Sequence, residues 1–126
     1  MIAYKVISYE RESAVVNEAE HRQAGFTLKY AKGSTVKAKK ETIGIWCYRD
    51  KESAQDYADG WGGFVITVRS IGKEIKPKAI SNCFPVKQIL SYYRRCKKFR
   101  TTKKLLDWYS RPRKEYVFYS EVKVLN

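Results

Sequence analysis

Apolar and polar positions change period several times along the chain, and each change marks an element. Residues 2–9 (Ile-Ala-Tyr-Lys-Val-Ile-Ser-Tyr) are β-branched and aromatic with few breakers, which predicts a strand. Residues 13–23 are polar and acidic, and Ala14, Val15, Val16 and Ala19 fit either a short strand with a loop or a short helix. Phe26, Leu28 and Tyr30 alternate with Thr27 and Lys29, the period of two of a half-buried strand. Lys32-Gly33-Ser34 follows as a turn, so a hairpin returning through residues 35–39 is expected.

Residues 43–48 read as a buried strand, after which Asp50 is placed to cap a helix by accepting a free backbone N–H. Ala54, Tyr57, Ala58 and Trp61 follow the i, i+3, i+4, i+7 spacing of a helical stripe, with Gly60 expected at its C-terminal end. Phe64, Ile66 and Val68 alternate toward Gly72 as another strand. Residues 75–80 form a weaker one, in which Pro77 suggests a sheet edge.

Ser81 or Asn82 is expected to cap a helix with Pro85 in its first turn and Val86, Ile89, Leu90 and Tyr93 as its apolar stripe. Thr101 or Thr102 starts a second helix, with Leu105, Leu106 and Tyr109 to bury, halted at Ser110-Arg111-Pro112. Residues 115–125 close the chain as one long strand. The expected fold is α+β, a single domain over residues 1–126. It has a largely antiparallel sheet, one short helix between strands and two basic helices before the last strand.

Composition adds three limits. The 126 residues have room for one modest core, and 44% hydrophobic with 14% aromatic residues exceeds what a disordered basic tail carries. No apolar run approaches the roughly 20 residues that cross a bilayer, and residues 1–10 lack a signal-peptide pattern, so a cytoplasmic protein with no membrane partner is expected. Cys47, Cys83 and Cys96 have neither a paired C-x-x-C spacing nor a set of histidines, His21 being the only one, so three buried, reduced thiols are expected and no metal or other cofactor.

Charge changes the picture most. The net charge is +13, and residues 87–114 hold eleven basic residues against one acid, Asp107, a net +10 over 28 residues. Residues 10–22, with four glutamates and two arginines, are net −2. A run that dense repels itself without a counter-charge, which favours an anionic ligand over a merely solvated face. Arg94, Arg95, Lys98, Arg100, Arg111 and Arg113 are the candidate phosphate ligands, and guanidinium forks suit phosphate oxygens. Tyr92, Phe99, Trp108 and Tyr109 are interleaved as stacking surfaces.

Catalytic alternatives are weak. His21 has no serine or cysteine beside it, the carboxylates are scattered among cations, and Gly60-Trp61-Gly62-Gly63 lacks the Lys-Ser/Thr ending of a P-loop. An enzyme is therefore not expected.

In layout the chain resembles small phage proteins of the first-type Thoeris anti-defence family, which sequester cyclic ADP-ribose-like immune signals. The resemblance rests on the Tyr4-Lys5-Val6-Ile7 strand, residues 26–33, the strand at 43–48 leading to the Ala54/Tyr57/Ala58 helix, and the helical region ending at Arg111. It implies a non-enzymatic sponge for a small phosphate-bearing nucleotide, working as a homo-oligomer in an infected bacterial cytoplasm, with Phe84 near the adenine and arginines such as Arg111 on the phosphates. The residues alone leave a second reading open: a DNA- or RNA-binding protein whose basic helices track a phosphate backbone.

Overall fold

The computed structural model describes all residues 1–126, and the chain forms two compact units. Residues 1–76 and 114–126 make a sheet unit; residues 77–113 make a helical unit. No helix in either is long and apolar enough to cross a membrane.

The sheet unit holds β1 (Ile2–Ile7), α1 (Ala19–Ala24), β2 (Thr35–Lys37), β3 (Ile45–Tyr48), α2 (Lys51–Trp61), β4 (Phe64–Ser70), β5 (Glu74–Ile75), β6 (Tyr116–Tyr119) and β7 (Glu121–Val124). Its seven strands lie in the order β2-β7-β4-β1-β3-β6-β5, and every pairing is antiparallel. The α+β class with an antiparallel sheet is as the periodicity predicts.

The closing segment is two strands instead of one. Ser120 breaks it, donating its N–H to the Lys73 carbonyl at 3.0 Å while its own carbonyl accepts from Ala38 at 2.9 Å. β6 pairs with β3 and β7 with β4, four places apart in the strand order. On a flat sheet that is about 19 Å at ~4.8 Å per step, far more than one linking residue spans, so the sheet must curl on itself. Both halves of the segment keep their inward residues, Val117 and Tyr119 on β6 and Val122 and Val124 on β7.

Alternation along β1 and β4 fills the two faces. Ala3, Ile7, Ile66 and Val68 join Ile45, Cys47 and the β6–β7 residues on one side, closed by Tyr30. On the other, Val6 and Tyr48 pack against Ala54 and Ala58 of α2. Asp50 caps α2 as expected, accepting from the Ser53 N–H at 2.8 Å. The helix ends two residues later than expected, because Gly62, not Gly60, adopts the left-handed conformation (φ 106°) and donates to the Ala58 carbonyl. Only Ala54 and Ala58 of the stripe are buried; Tyr57 and Trp61 remain 38% and 39% exposed.

Residues 26–30 are not a strand, although the alternation is real and Tyr30 is buried. Their backbone groups pair instead with the irregular segment at 11–13: Ser13 donates to the Leu28 carbonyl at 2.9 Å and Tyr30 to the Arg11 carbonyl at 2.8 Å. The hairpin with residues 35–39 therefore does not form, and β2 pairs with β7. The undecided stretch at 13–23 resolves as a loop and α1. His21 is buried there and accepts the Glu18 N–H on Nδ1 at 3.3 Å, closing a capping box. Its ring is thus a structural part of the helix start, and although ligand atoms of Glu18, Glu20 and His21 lie within 4.8 Å of one another, Nδ1 is committed to the cap.

Lys5 is the polar member of the inner side. Its ammonium donates to the Trp46 carbonyl at 2.8 Å and sits 5.7 Å from the Tyr30 ring centre, with burial holding its pKa below the usual lysine value.

The three cysteines are free, as expected, but contrary to expectation only Cys47 is buried. Cys47 is fully buried and burial pushes its thiol up to about 11; Cys96 is half-buried and also raised by burial; Cys83 is exposed. Thiolate fraction and access together set reactivity. Titration with an aromatic disulfide reagent near pH 8 is expected to label Cys83 quickly, Cys96 more slowly and Cys47 only after unfolding. Three equally fast thiols would contradict this.

Candidate functional site

All of the candidate residues fall in the helical unit, which is built on a very small core. Ala79, Ile80, Tyr92 and Leu105 are its buried apolar side chains. Ile80 and Ser110 exchange two backbone hydrogen bonds at 2.8 and 3.0 Å, so the unit is closed near both ends of its segment. Residues 76–80 are accordingly not the edge strand expected; β5 stops at Ile75.

The first helix, α3 (Val86–Lys98), begins at Pro85 without a side-chain cap. Ser81 is instead turned toward the loop and accepts the Cys83 N–H at 3.1 Å. Arg95, Lys97 and Lys98 occupy its last turn, where the helix dipole favours cations. The only fully buried side chain of α3 is Tyr92, whose hydroxyl donates to the Ala79 carbonyl at 2.5 Å. The expected stripe of Val86, Ile89, Leu90 and Tyr93 is at most half-buried, and Leu90 is 47% exposed. Tyr92, on the opposite side of the helix from Leu90, is the true anchor. The second helix, α4 (Thr102–Leu106), starts as expected from a Thr101 cap, whose hydroxyl accepts from Lys104 at 3.3 Å.

At 100° per residue, Lys87, Leu90, Arg94, Lys97 and Lys98 fall within an arc of about 100° on α3. All five are exposed. Four cations thus share one face along most of the helix, and Arg94 makes only a local bond to the Ser91 hydroxyl at 2.9 Å.

Two aromatic rings gather further cations. The Phe99 ring lies 5.5 Å from the Lys98 ammonium and 5.9 Å from that of Lys104. The Arg95 guanidinium lies 4.1 Å from the Trp108 ring centre and donates to the Tyr109 hydroxyl at 2.9 Å. Tyr109 in turn meets Tyr92 edge to face, with centroids 4.8 Å apart. Arg95 is therefore half-buried and already engaged, a joint between α3 and the turn after α4 as well as a charge. Trp108 is 57% exposed.

The remaining candidates are spread along the segment. Arg100 is exposed between the helices, its carbonyl accepting from Lys78 at 2.7 Å. Arg111 is exposed just past the Ile80–Ser110 bridge, Arg113 is exposed two residues on, and Phe84, 40% exposed, precedes α3. Contacts unite Arg95 with Trp108 and Lys98 with Phe99; the α3 face unites Arg94 with Lys98. Lys87, Lys97 and Lys104 are not among the phosphate ligands expected from the sequence, yet a helical wheel over residues 86–98 places the first two on this face. Lys104 is placed at Phe99 only by the turn between the helices.

No protein-family model, characterised protein or solved structure matches this chain.

Proposed function

We propose that the helical unit binds nucleic acid through the cationic face of α3 and the aromatic–cation pairs that follow it. The observation that carries this reading is the placement of Lys87, Arg94, Lys97 and Lys98 on one exposed arc of a single helix. A row of solvent-facing cations suits a ligand that repeats its phosphates, since each neutralised phosphate releases condensed counterions. Arg94 and Arg100 add planar donors for phosphate oxygens, and Phe99 and Trp108 add apolar faces for bases.

Sequestration of a cyclic ADP-ribose-like nucleotide is the second reading here, favoured by an exposed aromatic ring, Trp108, with a guanidinium, Arg95, beside it, a stacking face next to a positive charge. It requires Phe84 and Arg111 to meet around the ligand in an assembly of several copies.

Salt separates the two. Anisotropy titrations of a labelled oligonucleotide from low to physiological salt are expected to give a log–log slope of about −0.7 per phosphate contacted on a single strand. Retention of intact cyclic ADP-ribose is expected to be weak. Tight, salt-insensitive capture of the small nucleotide, with no oligonucleotide binding, would replace the first reading with the second.

A further inference from the structure

Trp108 is the most exposed tryptophan of the chain, at 57%, in a unit with little apolar surface to spare. One side of its indole is already occupied: the Arg95 guanidinium lies 4.1 Å from the ring centre. Even with that cation beside it, more than half of the residue's surface meets solvent. The guanidinium is itself held, because Nη1 donates to the Tyr109 hydroxyl at 2.9 Å. Tyr109 is fixed against buried Tyr92, and Tyr92 is fixed by its hydrogen bond to Ala79. A line of contacts from the core of the unit thus ends on an exposed aromatic ring.

A ring kept in one orientation and backed by a cation suits stacking with a flat, electron-rich partner, because its ordering is complete before the partner arrives. Resting on the nucleic-acid reading above, we infer that Trp108 stacks an unpaired base and that the ligand is single-stranded nucleic acid. In a duplex the faces of the bases are covered by their neighbours, so an outward indole finds nothing to stack on. On a single strand any base offers a face, and the α3 cations follow the backbone beside it.

The test compares one labelled single-stranded oligonucleotide with its own duplex, using the wild-type chain, Trp108→Leu and Trp108→Tyr at one fixed salt concentration. The wild type is expected to bind the single strand more tightly, and its indole emission to fall as the strand is added. Trp108→Leu should lose roughly 10-fold or more in single-strand affinity with no change in salt slope, and Trp108→Tyr should keep most of it, because stacking needs a ring and not a charge. Duplex binding should be the same in all three. Since Trp108 is exposed, both variants are expected to melt with the wild type; Trp108→Tyr and the wild-type emission still decide the matter should Trp108→Leu not fold. Equal affinity for both forms, or an unchanged Trp108→Leu, overturns the stacking role while leaving nucleic-acid binding standing. Failure of both forms to bind overturns the nucleic-acid reading itself, and this inference with it.

Discussion

Replacing Lys87, Arg94 and Lys98 together by glutamate is expected to weaken oligonucleotide binding by more than about 100-fold at physiological salt. It should also flatten the slope of log affinity against log salt by about 2, since three phosphate contacts at about 0.7 each are removed. The three side chains share the exposed arc of α3, and none touches the buried Tyr92–Ala79 anchor of its unit. Reversing exposed charges contributes little to folding energy. Only Lys98, in the last turn, also loses a favourable interaction with the helix dipole, about 0.3–1 kcal/mol. Circular dichroism should therefore show an intact fold with a slightly lowered melting point. If affinity and slope both stay at the wild-type values in a folded protein, the α3 face is not the binding surface.

The largest stability effect is expected in the sheet unit. Ile66 lies near the middle of β4, opposite Lys5 on β1, and is 1% exposed in the core cluster. β4 is paired on both sides, by β1 and β7, so the backbone around Ile66 is held and cannot collapse into the space a smaller side chain leaves. Ile66→Ala should cost about 2–5 kcal/mol, on the order of 10–20 °C in melting temperature for a chain of this size. Leu90→Ala is the matching control: it lies in the apolar spacing of α3 but is 47% exposed, and its loss should cost well under 1 kcal/mol. Thermal melts of the two variants side by side check this, and a loss for Leu90→Ala as large as that for Ile66→Ala would mean that Leu90 is covered in solution.

That contrast shows where sequence reading reaches its limit. Spacing along residues 86–98 puts Leu90 in the apolar stripe and leaves Tyr92 outside it, but which of them faces inward depends on what the rest of the unit offers. The Ala79 carbonyl and the edge of the Tyr109 ring are what Tyr92 finds, and both come from segments distant in the chain. The candidate site was legible to a similar degree. The density of cations between residues 87 and 114, with aromatics interleaved, is plain in the sequence. That Arg95 is drawn into the Trp108–Tyr109 joint, while Lys87 and Lys97 join Arg94 on the open arc, follows from helix geometry and from the turn that brings α4 back.

Local chemistry alone determined β1, β3, β4, the Asp50-capped α2 and the Thr101-capped α4, because alternation, capping side chains and breakers act within a few residues of one another. It also determined the α+β class and the location of the charge. Partner choice was decided by tertiary structure. Residues 26–30 alternate like a strand but pair with residues 11–13, and the run at 115–125 divides at Ser120 to serve both β3 and β4. Backbone N–H and C=O groups are the same at every residue, so a sequence marks which segments will be extended but not which distant segment receives their hydrogen bonds. That choice is made by the curling of the whole sheet.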